Sequence, residues 1–450
     1  MHTTTRHLGP SLAIALSIAP TLGCGAGAED APCDYERCDP TDEDCVREVA
    51  EVLACRRGVP AITPEVRFLS REEAVAENTG EPLTDEELQD LRDYYNAEAL
   101  VGLMPVDYEP ADVTADVFDS IVAYYSRAER EIVIIEDSRV DDPAAAFEVL
   151  VHELVHAFQD AEWELQGLYD EHATSVDRLM GLRAMLEGDA SLYAALSTVS
   201  LAGVELTESD WARYFDDYQG HVLELAQESE TPSLDMLGLF PYAFGIEYMY
   251  EAWRDGDYAG VEGAALDPAD SVRQVLRGYP GEPRPELNGD ALLDAHALPT
   301  LDGYTALSGG HQGIWLINAM LQRTAASADV FAVDALDRVD ADYLIALREQ
   351  GTGALATVWR ISPAAPLLPL IDAPGSLWTL DPATPSSHVA RVVDDDLVLV
   401  ATTGDDADAV FNAITGWQPL AEFEPRVRAR GDATRRGCPG RVHEPRAVTR

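Results

Sequence analysis

Apolar residues recur at helical spacing through several stretches of the chain, each bounded by residues that start or stop helices. Leu83 to Val101 is the first, with Thr84 offering a cap and Glu87 three residues on completing a capping box. A second amphipathic helix is expected from about Ala115 to Ser126. Glu131-Ile-Val-Ile-Ile-Glu136 is a β-branched run bounded by charge, which predicts one strand and a candidate edge for an extended peptide. Asp141-Asp142-Pro143 then supplies an N-cap and an N1 proline to the next helix. Helix-permissive sequence resumes near Thr174 and passes Leu196. Beyond Trp211, Phe240 to Gly245 opens an aromatic helix through Trp253, and Asp267 to Tyr279 reads as a capped helix. Pro280 to Pro285 is the best internal boundary, although a helix from His311 to Leu321 can extend the first unit to 324. Strand-like alternation at Val389–Val393 and Leu397–Thr402 and a helix from Ala407 to Ile414 follow.

One residue breaks the pattern. The stripe through Val176, Leu179, Met180, Leu186, Ala190 and Ala194 also passes through Glu187, and a carboxylate facing a core is costly unless it is paired or bound to a metal. Gly188 follows it in a helix interior, where Gly costs about 1 kcal/mol relative to Ala. Close approach of another backbone would explain it.

The partner for that carboxylate is upstream. Val149 to Asp160 contains His152-Glu-Leu-Val-His156, and on a helix residues four apart turn to one face, so two imidazoles can hold one ion. Glu153 is then placed to accept a proton from water on that ion rather than to bind it. His152, His156 and Glu187 are therefore the expected zinc ligands. Asp160 and Asp189 are candidates to orient them, with Asp177 offering the same ambiguity. Tyr242, His221 and His311 are candidate oxyanion donors. His172, His296, His388 and His443 read as structural or solvent-facing.

Composition limits the alternatives. At 450 residues and 46% hydrophobic the chain can bury a large core. Its 81 acidic against 31 basic residues, all Arg, leave a formal charge of -50, which nucleic acid and anionic membranes would repel. Residues 1–28 read as an export signal. Two cleavage readings stand: Thr21-Leu22-Gly23-Cys24 resembles a lipobox, with Cys24 lipidated, and Ala26-Gly27-Ala28 offers ordinary signal-peptidase cleavage. Membrane contact is expected only through such an N-terminal lipid. Residues 29–60 are acidic and carry Cys33, Cys38, Cys45 and Cys55, whose spacing favours two local disulfides in one of three connectivities. Cys438 has no evident partner, and the Arg-rich residues 425–450 read as a solvated tail.

HELVHAFQD followed by LEGDA resembles the gluzincin metallopeptidases, and more closely a group of bacterial exported or lipid-anchored HExxH proteins with an EGDA-type second motif. The segments FPYAFG and DPADSVRQVLRGY are similar to later blocks of that group. The resemblance covers about 120–320. It implies zinc on His152, His156 and Glu187, Glu153 as general base, and Tyr242 as a transition-state donor. The thermolysin-type N-E-x-x-S-D block is missing. The expected architecture is α+β: a mainly helical zincin-like catalytic domain with a short β-sheet at 61–285, and a smaller C-terminal α/β region at 325–424. The expected function is zinc-dependent cleavage of a protein or peptide substrate at the cell envelope. The rivals are an inactive envelope binding protein of the same fold and a hydrolase of peptidoglycan amides.

Overall fold

The structure is a computed structural model that describes residues 33–78, 84–109, 121–135, 142–229, 231–281, 303–324, 336–368, 387–404 and 406–413. The export signal with Cys24, the start of the helix expected at Ala115, His296, Cys438, His443 and the Arg-rich tail lie outside these residues. The chain is α+β, with helices grouped around one long central helix and two separate sheets.

The cysteine-rich segment forms helix α1 (Glu43–Arg57), capped by Asp42 and closed by Gly58 at φ 68°. Cys33 pairs with Cys55 and Cys38 with Cys45, at Cα separations of 5.7 and 5.4 Å, which selects one of the three connectivities. Two disulfides suit an oxidising compartment. The stapled segment is a cap that shares a core with the helix carrying the HELVH motif: Tyr35, Val46, Val49 and Leu53 pack with Phe147, Leu150, Val151 and Leu154.

The first sheet joins β1 (Glu65–Leu69), β2 (Ala123–Ser126) and β3 (Glu131–Ile135) in the order β1-β3-β2. Strand β1 runs parallel to β3 and β2 antiparallel to it. Two expectations are corrected here. Ala123 to Ser126 is a strand and not the end of a helix, because Tyr124 and Tyr125 face Val133 and Ile132 across the ladder and gain aromatic-to-β-branched contacts that local periodicity does not reveal. The expected edge strand β3 is central, and β1 and β2 are the edges instead.

Helices α2 (Arg71–Asn78) and α3 (Asp85–Ala99) follow β1, and α3 carries the expected Thr84/Glu87 capping box. Helix α4 (Pro143–Trp163) begins on the expected Asp142 cap with Pro143 in its first turn. Then come α5 (Leu165–His172), α6 (Val176–Ala202), α7 (Glu208–Glu228), α8 (Pro232–Ala243), α9 (Gly245–Leu266) and α10 (Val272–Leu276). Phe240 to Gly245 does not open one helix: it spans the junction of α8 and α9. Asp267 to Tyr279 contains only the five helical residues of α10, capped by Ser271, whose amide neighbour Val272 donates to Asp177 at 3.0 Å. Asp177 is thus occupied in tying α10 to α6.

Helix α6 is the axis, with α4, α8 and α9 packed along it. A Cβ on Gly188 would stand 2.2 Å from the Gly245 carbonyl oxygen, and one on Gly245 would stand 2.1 Å from that of Ala184. Backbone therefore meets backbone where α6 crosses α9, as the oddly placed Gly188 suggested.

The second sheet is antiparallel, in the order β4 (Tyr304–Gly310), β5 (Ala341–Glu349), β6 (Leu355–Ser362), β8 (Asp396–Thr402), β7 (Ser387–Val393). One face, with Leu344, Trp359, Ile361 and Leu399, joins the helical core, and the other, with Ile345, Val358 and Val400, is covered by α12 (Ala407–Ala413). Its first strand precedes residue 325, and α3 from the N-terminal half packs against it through Arg348–Asp93 at 2.6 Å and Thr357–Ala97 at 2.6 Å. Helix α11 (Gly313–Thr324) docks on α8 by a 2.9 Å hydrogen bond from Trp315 to the Met236 carbonyl. No helix among the described residues is long and apolar enough to cross a membrane.

Candidate metal centre

Helix α4 buries Phe147, Leu150, Val151, Leu154, Val155 and Phe158. That fixes its rotation and turns His152 and His156 toward α6. The glycine crossing fixes α6 in turn, and brings Glu187 opposite them. His152 Nε2 lies 3.2 Å and His156 Nε2 3.3 Å from Glu187 Oε2, and the two nitrogens are 3.1 Å apart. These three residues form the only potential metal-ligand cluster among the described residues.

The triangle fits zinc. Four ligands at about 2.0–2.1 Å in tetrahedral arrangement stand about 3.3 Å from one another, and all three edges are close to that length. The donor chemistry agrees. Gln159, fully buried, donates through Nε2 to the Leu186 carbonyl at 2.8 Å and to Asp189 Oδ2 at 2.9 Å, which fixes its amide orientation. Its Oε1 therefore faces His156 Nδ1 at 2.9 Å and accepts the proton there. In neutral His156 that leaves Nε2 as a lone pair aimed into the triangle, the tautomer a metal requires. The local field favours positive charge within the triangle, whether a proton or a metal cation. Burial alone would raise the Glu187 carboxyl and lower His156, yet their mutual attraction overrides it, holding Glu187 well below the usual carboxylate range and pushing His156 up to about 9.

Glu153 is buried at 6% exposure, outside the triangle. Burial raises its carboxyl above the ordinary value, His152 and His156 oppose this, and the Tyr125 backbone N–H donates to it. Ile135 N–H donates to the Val122 carbonyl at 2.9 Å, so by alternation Ala123 and Tyr125 turn their backbone groups away from β3. The free side of the edge strand thus faces the metal-ligand helix.

The other expected residues divide. Tyr242, near the end of α8, stacks on His152 at 5.8 Å between ring centres, and its hydroxyl hydrogen-bonds Glu187, whose charge is the largest influence raising that phenol. Asp189 joins the site through Gln159 and is itself held by Arg57 Nη1 at 3.1 Å to both oxygens, an ion pair fully withdrawn from solvent. Asp160 does not reach His156: it accepts from the Tyr125 hydroxyl at 3.1 Å and so ties α4 to β2. His311 sits against Tyr343 of the second sheet. His221 lies on α7 one turn beyond Tyr218, whose phenol is pushed up to about 12 by burial, Glu187 and Glu148. His172 bonds the Leu168 carbonyl through Nδ1 and is buried, and burial lowers His388 on β7.

Gln159, Arg57 and Tyr125 were not expected. A polar residue three positions after His156 on an otherwise apolar surface was the available sign for Gln159. Nothing local marks Arg57 or Tyr125. Searches of family models, of curated proteins and of solved structures found no match to the chain.

Proposed function

We propose that the protein is an exported, zinc-dependent metallopeptidase of the gluzincin kind, anchored by a lipid on Cys24 or released by cleavage after Ala28. The observation that carries this reading is the near-equilateral triangle of His152 Nε2, His156 Nε2 and Glu187 Oε2 with a buried carboxylate, Glu153, beside it.

Zinc held by His152, His156 and Glu187 supplies Lewis acidity toward the scissile carbonyl and toward water. Glu153 accepts the proton that water loses as it adds to that carbonyl, and returns it to the amide nitrogen as the C–N bond breaks. The Tyr125 N–H holds Glu153 in place for both transfers. Gln159 and Tyr242 keep a ligand each in orientation, His156 and Glu187 respectively. An extended peptide can pair with the outward backbone groups of β2 other than the Tyr125 N–H, which Glu153 occupies. The three ligands would serve a binding scaffold as well, but such a scaffold has no need of a buried general base beside them.

The test is metal analysis of the purified mature protein together with peptide-library cleavage. Wild type and Glu153→Ala should carry equal zinc while cleavage falls by roughly 10²–10⁴ in the variant. Glu187→Ala should lose most of its zinc. Absence of zinc from wild type under non-chelating conditions would end the proposal.

A further inference from the structure

Two guanidinium groups stand on elements around the triangle, Arg183 on the helix that bears Glu187 and Arg127 over the Tyr169 ring. Arg183 precedes Glu187 by four residues on α6, so the two side chains leave the same face of the helix. It is half-buried, and its Nη1 reaches the Leu237 carbonyl at 3.4 Å on α8, the helix that bears Tyr242. Arg127, exposed in the turn between β2 and β3, lies with its guanidinium carbon 4.2 Å from the centre of the Tyr169 ring on α5. Tyr169 joins the two. Its phenol is raised by burial and then by the Glu187 charge, while Arg183 and Arg127 pull it back. Tyr242 feels Glu187 and, in opposition, Arg183.

Among the described residues neither guanidinium is paired with a carboxylate. Elsewhere in this acidic chain Arg57, Arg67, Arg273, Arg277 and Arg348 are each held by at least one. A half-buried guanidinium without an anion forgoes the planar, two-bond pairing it is shaped for. Its place beside a hydrolytic centre is accounted for if the anion arrives with the substrate.

We infer that Arg183, with Arg127 over Tyr169, forms a carboxylate-binding subsite beside the triangle, so that the protein acts on peptides bearing a carboxylate near the cleaved bond. That carboxylate is either a free peptide C-terminus or an Asp or Glu side chain. The cleavage rests on the metallopeptidase reading above; the binding does not.

The experiment separates them. Fluorescein-labelled hexapeptides are titrated into zinc-loaded full-length Glu153→Gln, which holds substrate without turnover, and anisotropy is read. One pair differs only in a free C-terminal acid against the carboxamide, and a second, amidated pair differs only in Glu against Gln at an internal position. The carboxylate member of one pair should bind roughly tenfold more tightly. The responding pair identifies the source. Adding Arg183→Gln should erase that preference at unchanged zinc content, Arg183→Lys should keep part of it, and Arg127→Gln should reduce it. Equal affinity within both pairs, or a uniform loss for charged and neutral peptides alike in Arg183→Gln, overturns the inference. If Arg183→Gln does not fold, Arg183→Lys and Arg127→Gln decide, and an undiminished preference in both overturns it equally. Wild-type hydrolysis is measured on the same peptides. Selective binding without hydrolysis sinks the peptidase reading alone, and hydrolysis without selectivity sinks only the subsite.

Discussion

At the scale of single residues, the geometry of the His152–His156–Glu187 triangle depends on side chains that lie outside it. Gln159 sets the His156 tautomer, and its own orientation is set by Leu186 and Asp189. Gln159→Leu keeps the volume and removes the acceptor, so zinc affinity should fall roughly 10–100-fold, read by competition with a chelator. An unchanged affinity would return Gln159 to ordinary packing. The meeting of His152, His156 and Glu187 was legible in the sequence, because HELVH has a mechanical spacing and Glu187 is a costly residue on an apolar stripe. Gln159 was not, since a glutamine within a helix carries no comparable penalty until its burial is known. A second carboxyl makes a separate prediction. Glu98, fully buried beside the Tyr94 hydroxyl at 2.6 Å, is raised by burial from 4.5 to about 7. The folded protein therefore binds this proton more tightly than the unfolded chain, and stability is lost as pH rises from about 4.5 through about 7. Glu98→Gln should match wild type below that window and exceed it by up to about 3 kcal/mol above it, as measured by denaturation across pH. A constant difference at every pH would contradict this.

Helices and strands were readable where their determinants are local. The Thr84/Glu87 box, the Asp142-Pro143 start and the β-branched run at Glu131 each carry their own signal. Strand β2 does not: its four residues become a strand through cross-strand pairing with β3, and the same is true of the break at Phe244, where α8 hands over to α9. The Gly188–Gly245 crossing was half legible, one glycine inviting a close approach and the other supplying it from 57 positions away. Neither glycine has room for a methyl group. Gly188→Ala should push α6 from α9, cost about 1–3 kcal/mol or more in chemical denaturation, and weaken zinc binding because Glu187 moves with the helix. Loss of stability with zinc affinity intact would mean that the triangle is held by α4 alone.

For the whole molecule, composition suggested pieces where the fold has continuity. The second sheet takes a strand from before 325 and packs on α3, pairings between positions more than 200 residues apart that no linear reading of the chain can bring together. The cysteine-rich segment reads as either a stapled spacer or a small cap, and its shared core with α4 makes it the cap. Cys33→Ser/Cys55→Ser should lower stability by about 3 kcal/mol through the 22-residue loop it opens, and should also reduce zinc affinity, because Arg57 lies two residues beyond Cys55. Unchanged affinity in the folded variant would uncouple the cap from the centre.

The ion pair between Arg57 and Asp189 also decides where the chain can be cut. Shortening the protein to begin at Pro60, as its composition invites, would keep all three ligands and the base. It would also leave Asp189 as a buried negative charge with its counter-ion gone, a change that typically costs about 3–5 kcal/mol. The acidic, disulfide-bonded segment is in that sense part of what supports the His152–His156–Glu187 triangle, and a fragment trimmed of it would be a different and weaker molecule.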